Sequence, residues 1–479
     1  MDSQLKDQRF TNKKKVQLKC LQKGSRKLEV LQIQKFFYIT WYQQLMIPVM
    51  SKITRRDFFQ HAGRVTVGGI ALSGALPDLV STSAQAVPNS SPPNVFENVL
   101  GEYGPWADKM MGKEPAKLSF LRDEFNRSEM DSWRKKARLR LLDCLAMPDS
   151  VGIPKAQVLQ EVEFEGLTIQ HLQWDLPYGP PTNALFLKPS NATGKLPAIL
   201  AMHDHSGKKY YGHQKISRAG SEVDPLNKQH VDEYYEGVWW ANQLAHRGYA
   251  VLVPDAFLFG SRRIGLSQVP LAMRGVAEEG IPDSELDILA YNRWSSQHEH
   301  SVAKSLLCAG TTVPGVVVGD DQRALDYLCS REDVDVSRIG CCGLSGGGLR
   351  TLYLAGLDDR IAAACCVGMM TTWRDFCLNK SHTHTWMIYP PGFTRDLDYP
   401  EILGLRVPLP IFVQNAEHDK LFTLSEMQRA DRMLSDIYKK AGAESQYKSA
   451  FYPGGHRFDL KMQEDAFAWL DSKLSNLGS

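Results

Sequence analysis

Gly343-Leu344-Ser345-Gly346-Gly347 spells G-x-S-x-G within the longer run "RIGCCGLSGGGLRTLYLAG". An apolar stretch leads straight into Ser345, and a helix-forming stretch starts directly after it. A serine on such a strand–turn–helix elbow takes unusual backbone angles and draws neighbouring backbones so close that the flanking positions need glycine. The elbow lifts the hydroxyl above the sheet. It also aims the first backbone N–H groups of the helix, Gly346 among them, at a reacting carbonyl. The rival reading is a serine in an ordinary glycine-rich loop, because the bare pattern is common.

A nucleophilic serine needs a base and an orienting acid. Asp419 follows the apolar run "IFVQNAE", and His456 follows "SAFYPGG". His456 would take the serine proton, while Asp419 would fix its tautomer and stabilise the imidazolium. Glu417 is the alternative acid, and His418 reads as a loop residue. A second oxyanion donor must come from the loop after "AILAM", which reads His203-Asp204-His205-Ser206-Gly207; the backbone N–H of His205 is the choice. A metal reading of His203, Asp204 and His205, with His298-Glu299-His300 or His382 and His384, competes with this. Adjacent side chains at a strand end point opposite ways, so no shared metal is expected.

The elements that would position these groups alternate. From about Ala156, "VLQEVEFEG", "LTIQHLQWDLP" and "NALFLKP" read as antiparallel edge strands. "LPAILAMHDH" is a continuous apolar run, as a strand buried on both faces should be. Strand and helix signals then alternate to the C-terminus, with Asp419 and His456 at strand ends in the order Ser, Asp, His. The order predicts a doubly wound, mostly parallel α/β sheet. Ahead of it, residues 94–146 read as a helical arm, with Ser128 as N-cap of the helix "SEMDSWRKKARLRLLDCL". Three stretches break the alternation, about 206–236, 258–310 and 371–402; they read as inserted cap loops at the ligand-binding end. Within and around them, His203, Trp373 and Arg374 are taken as substrate-binding candidates.

Charge is unevenly placed. Residues 1–49 carry +7 and residues 50–86 carry +2, so the remainder of a chain with net charge +2 is mildly acidic. That excludes an electrostatic case for nucleic acid. Residues 50–86 resemble a twin-arginine export signal: Arg55-Arg56, a modest apolar run, and Ala84-Gln85-Ala86 before Val87. Residues 1–49 are then a basic extension or an artefact of start-site choice. The division expected is 1–49, 50–86, a linker and helical arm over 87–150, and a catalytic domain over 151–479. The localisation expected is periplasmic or secreted, with no stable membrane insertion after signal removal. No run reaches the roughly 18 apolar residues of a membrane-spanning helix. The nine cysteines show no C-x-x-C spacing, and Cys341-Cys342 and Cys365-Cys366, in apolar runs, read as buried free thiols.

With "GLSGGG", "PDAFLFGSRR", "GDDQRALDYL", "AEHDKLF" and "PGGH" in place, residues from about 130 onward resemble the dienelactone-hydrolase and acetyl-xylan-esterase-like branch of the α/β-hydrolase superfamily. The resemblance implies a carboxylic-ester hydrolase without cofactor and a triad of Ser345, Asp419 and His456. True dienelactone hydrolases use a cysteine where this chain has Ser345. The expected activity is an exported serine esterase working through an acyl-enzyme on a small-molecule or polysaccharide-linked ester. The alternatives are a serine peptidase or acyltransferase on the same triad, or a non-catalytic binding module on a hydrolase scaffold. Oligomeric state is not legible.

Overall fold

The computed structural model describes residues 98–149, 152–275 and 285–474. The expected basic extension, leader and cleavage site lie outside the described residues. Among the described residues, nine strands form one sheet: β1 Gln157–Phe164, β2 Leu167–Trp174, β3 Thr182–Pro189, β4 Leu196–Met202, β5 Ala250–Pro254, β6 Val334–Leu344, β7 Ile361–Val367, β8 Ile411–Ala416 and β9 Tyr447–Tyr452. Their spatial order is β1-β2-β3-β5-β4-β6-β7-β8-β9. The β1–β2, β2–β3 and β3–β5 pairs are antiparallel, and every pair from β5–β4 through β8–β9 is parallel. This is the α/β-hydrolase fold, with the antiparallel edge that the alternating runs predict.

Both faces of the sheet are apolar because both are covered. In β4, Ala198, Leu200 and Met202 point into one core, and Ile199 and Ala201 into the other. The first core is closed by α2 (Met130–Leu145), α6 (Val313–Ser330), α7 (Gly346–Leu357), α8 (Tyr399–Gly404) and α9 (Leu424–Lys440); α1 (Gly104–Met111) precedes them in the arm. The second is closed by α3 (Pro225–Tyr235), α4 (Trp240–His246) and α10 (Leu460–Leu474). Helix α9 shows the pattern that selects such packing: Met427, Ala430, Leu434, Ile437 and Tyr438 are buried at three- and four-residue spacing.

The helical arm joins the same compact unit as the sheet, Ser91–Ser479, because Trp133, Ala137 and Leu141 of α2 lie in the first core. Its start differs from the sequence reading. Asn126, not Ser128, is the cap: its side chain accepts the Ser128 N–H at 2.9 Å and opens a short 3-10 turn ahead of α2. An asparagine two residues earlier satisfies the same orphan donor, which propensity alone does not separate from serine. The 258–310 stretch is less loop-like than expected, since it contains the 25-residue helix α5 (Glu285–Ala309). The four core-strand cysteines Cys341, Cys342, Cys365 and Cys366 are buried free thiols, as read.

Candidate functional site

Parallel strands end at one edge of the sheet, and the three expected groups stand at such ends. Ser345 follows β6, Asp419 follows β8 and His456 follows β9. Ser345 has φ 56° and ψ −118°, in the left-handed half of backbone space where few non-glycine residues sit. The turn is held by the Ser345 N–H donating to the Val367 carbonyl at 2.9 Å and the Leu349 N–H donating to the Ser345 carbonyl at 2.8 Å. Glycine is required beside it. A Cβ at Gly347 would stand 2.1 Å from the Met202 carbonyl oxygen, and one at Gly346 only 2.8 Å from the His205 nitrogen.

The His456 Nδ1–H donates to Asp419 Oδ2 at 2.6 Å. That bond leaves the other ring nitrogen free to accept a proton. Asp419 is buried, whereas Glu417 and His418 are exposed; the alternative acid is on the wrong side of the turn. Ser345, Gly346, His205 and His456 line one cleft of about 680 Å³, with Glu299, His300, His382, His384 and Trp386 of the insertions on its other wall. No hydrogen bond joins Ser345 to His456 in this structure; what relates them is the shared cleft.

Two of the insertions are tied to the loop after β4 by one carboxylate. Glu299, 5% exposed on α5, accepts Lys209 Nζ at 2.6 Å and the His205 Nε2–H at 3.4 Å through Oε2. Through Oε1 it accepts the Trp386 N–H at 2.8 Å and the Thr385 hydroxyl. Despite the burial, the His205 and Lys209 partners hold the Glu299 carboxyl far below its ordinary range. Burial pushes His384 down to about 4, with its Nε2–H donating to the Leu421 carbonyl at 3.0 Å. Glu299 is the residue that sequence reasoning placed only in a metal alternative. Its role depends on contacts across 86 to 94 residues of chain, a separation that leaves no local pattern.

The three substrate-binding candidates fall elsewhere. His203 is 1% exposed. Its Nε2 accepts the Ala256 N–H at 3.1 Å, so its Nδ1–H donates, to the Asp204 carbonyl at 3.0 Å. Trp373 is packed on Phe376 and Tyr399 and donates to the Leu397 carbonyl at 3.1 Å. Arg374 pairs with Asp108 of α1 at 2.8 Å. Trp373 and Arg374 line a small separate cavity under the arm. The physical reason is that the arm folds over this part of the 371–402 insertion, taking its aromatic and cationic side chains for packing. The metal alternative also separates. Asp204 turns to His230 Nε2 at 3.0 Å and the Tyr235 hydroxyl at 2.5 Å, away from His205 and Glu299. Among the described residues, no group of three His, Cys, Asp or Glu side chains converges as a metal site.

Comparisons with known proteins bear on the fold that carries these residues. Residues 238–469 match the dienelactone hydrolase family. That stretch is similar to the family, and the fold around it is that of the α/β-hydrolases. It is similar to a Bacillus subtilis (strain 168) protein named as a hydrolase, YtaP, at 26% identity over 348 residues, 72% of this chain and 100% of that protein. The fold resembles that of a Bacteroides fragilis NCTC 9343 protein named as an acetyl xylan esterase, with TM-score 0.56 and 19% identity over 74% of this chain and 82% of the other. A glucuronoyl esterase from Solibacter usitatus has TM-score 0.53 and 14% identity, covering 76% of this chain and 98% of that one.

Proposed function

We propose that the protein is a serine carboxylic-ester hydrolase with Ser345 as nucleophile, His456 as general base and acid, and Asp419 as orienting group. The Ser345 oxygen attacks the ester carbonyl, its proton passes to His456, and the carbonyl π pair becomes an oxyanion facing the backbone N–H groups of Gly346 and His205. Collapse breaks the bond to the alcohol, which leaves with the proton from His456. Water then repeats the sequence on the acyl-enzyme and releases the acid. The observation that carries the reading is the positive-φ elbow at Ser345 opening on the same cleft as the Asp419-bound His456.

The cleft wall suggests the alcohol. Ser381, His382, Thr383 and His300 offer polar contacts and Trp386 a ring face, which suits a carbohydrate-linked ester. The names of the two solved esterases point the same way. Export through the 50–86 signal completes the proposal; a mature N-terminus far from Val87, found by sequencing the exported form, would refute that part.

The deciding experiment is Ser345→Ala assayed with p-nitrophenyl acetate. Turnover should vanish while the melting temperature is kept, and a fluorophosphonate should add mass to the Ser345 peptide of the parent enzyme alone. Wild-type turnover in the variant would end the assignment. A panel of acetyl, feruloyl, methyl-uronate and lactone esters then ranks substrates by kcat/KM.

A further inference from the structure

The 206–236 insertion places a lysine where a charge is hard to keep. Lys215 is 0% exposed. Its Nζ donates to the Asp204 carbonyl at 2.9 Å, the His205 carbonyl at 3.0 Å and the Ser206 hydroxyl at 3.4 Å, and it stands 4.7 Å over the Phe259 ring. The counter-charge is Asp204 Oδ2 at 3.6 Å, an oxygen with no hydrogen-bond partner of its own.

The target of these bonds matters more than their number. The Asp204 carbonyl and the His205 N–H belong to one peptide group. That peptide is not among the cis bonds, and in a planar trans peptide the C=O and N–H point opposite ways. Gripping the Asp204 oxygen from below therefore aims the His205 N–H outward, toward Gly346, whose Cβ position is 2.8 Å from that nitrogen. The His203 Nδ1–H holds the same oxygen at 3.0 Å. A cation on the carbonyl end also draws electron density along the peptide and strengthens the donor at the other end, in a medium where water does not screen it.

We propose that Lys215 is a positioning residue for ester hydrolysis: it fixes and polarises the 204–205 peptide whose N–H binds the oxyanion. The inference rests on the reading of Ser345 as nucleophile. It assigns to a buried cation that never touches substrate a share of the stabilisation usually credited to the backbone donor alone.

The arrangement makes a pH signature. Burial, with Lys208 and Lys209 nearby, lowers Lys215 to about 8 in spite of Asp204. Of the other groups around it, the carboxylate, the imidazoles and the phenol hold one charge state across neutral and mildly alkaline pH. Asp204 is held ionised. His203, His205 and His230 are kept neutral by burial, and Tyr235 keeps its proton. Lys209, also lowered by burial, is committed to Glu299. Loss of the Lys215 proton should thus lower kcat as pH rises through about 8, with little change in KM.

The test uses Lys215→Met, Lys215→Arg and the parent enzyme, each with p-nitrophenyl acetate and an aliphatic trifluoromethyl ketone. The serine hydroxyl adds to the ketone, the C–O bond forms, the proton goes to His456 and the carbonyl pair becomes an oxyanion. Lys215→Met should lose roughly 10- to 100-fold in kcat and a matching factor in ketone affinity, with KM nearly unchanged. It should also lose the alkaline fall in kcat, and Lys215→Arg should recover part of the rate. A folded Lys215→Met with parental kcat and ketone affinity overturns the proposal, as does a loss confined to thermal stability. If Lys215→Met fails to fold, the parent decides. A fall of kcat and ketone affinity together through pH about 8 supports the proposal, and a flat kcat to pH about 10 overturns it. Residual turnover in Ser345→Ala would instead remove the reading beneath, a separate result.

Discussion

Asp419 and Glu417 are two residues apart, yet only one faces His456. Asp419 is 4% exposed and bonded to His456 at 2.6 Å, and Glu417 is exposed. If the carboxylate sets the tautomer, Asp419→Asn presents a donor where an acceptor is needed and should lower kcat roughly 10³- to 10⁴-fold. Glu417→Gln should leave the rate within about twofold, as expected for an exposed group away from the reacting atoms. Steady-state rates on p-nitrophenyl acetate check both, and equal losses would contradict the assignment of the acid. That Ser345, Asp419 and His456 stand at strand ends was legible because each terminates a short apolar run, and chain order with strand ends is local information. His203, Trp373 and Arg374 were misplaced because residue type was read as role. An imidazole, an indole and a guanidinium serve packing and backbone bonds as readily as ligands. Lys215 was not singled out at all: nothing in "GHQKIS" says that two carbonyls ten and eleven residues earlier would receive its charge.

At the scale of elements, the sheet fixes where the chemistry stands and the insertions decide the shape of the cleft. Alternation of apolar runs and helical spacing made a mostly parallel, doubly wound sheet with an antiparallel edge foreseeable. It left open how α5 and the 381–389 turns meet. Glu299 supplies that contact by joining α5, the loop after β4 and Trp386. The pair Lys209–Glu299 is almost fully buried, with side chains 2% and 6% exposed. Removing one partner leaves the other charge uncompensated, at a cost of about 3 kcal/mol. Glu299→Gln should therefore lower the melting temperature and speed proteolysis within 381–389, and Glu299→Gln with Lys209→Met should regain most of the loss. A double variant no better than the single one would mean that Glu299 acts through its hydrogen bonds and not its charge.

Across the whole molecule, burial decides how stability responds to pH, and it pulls in two directions. His384, lowered to about 4, binds its proton less readily folded than unfolded, so its contribution is lost as pH falls from near 6.5 toward 4. Glu401, in the capping box of α8, is raised to about 8 by burial. Folded, it keeps its proton longer than the unfolded chain does, so its contribution is present below about 4.5 and is lost as pH rises toward 8. Its Oε2 accepts the Asp398 N–H at 2.7 Å. A glutamine keeps the cap through its carbonyl oxygen and has no proton to lose. Glu401→Gln should leave the melting temperature nearly unchanged at pH 4.5. The gain should grow with pH, reaching several °C by pH 8. The carboxyl is remote from the Ser345 cleft and lines the small cavity under the arm instead, so kcat should not follow. Thermal melts of parent and variant from pH 4.5 to 8 measure this difference. A gain that is constant with pH would assign the effect to packing, and a gain that shrinks toward pH 8 would reverse the sign derived for this carboxyl.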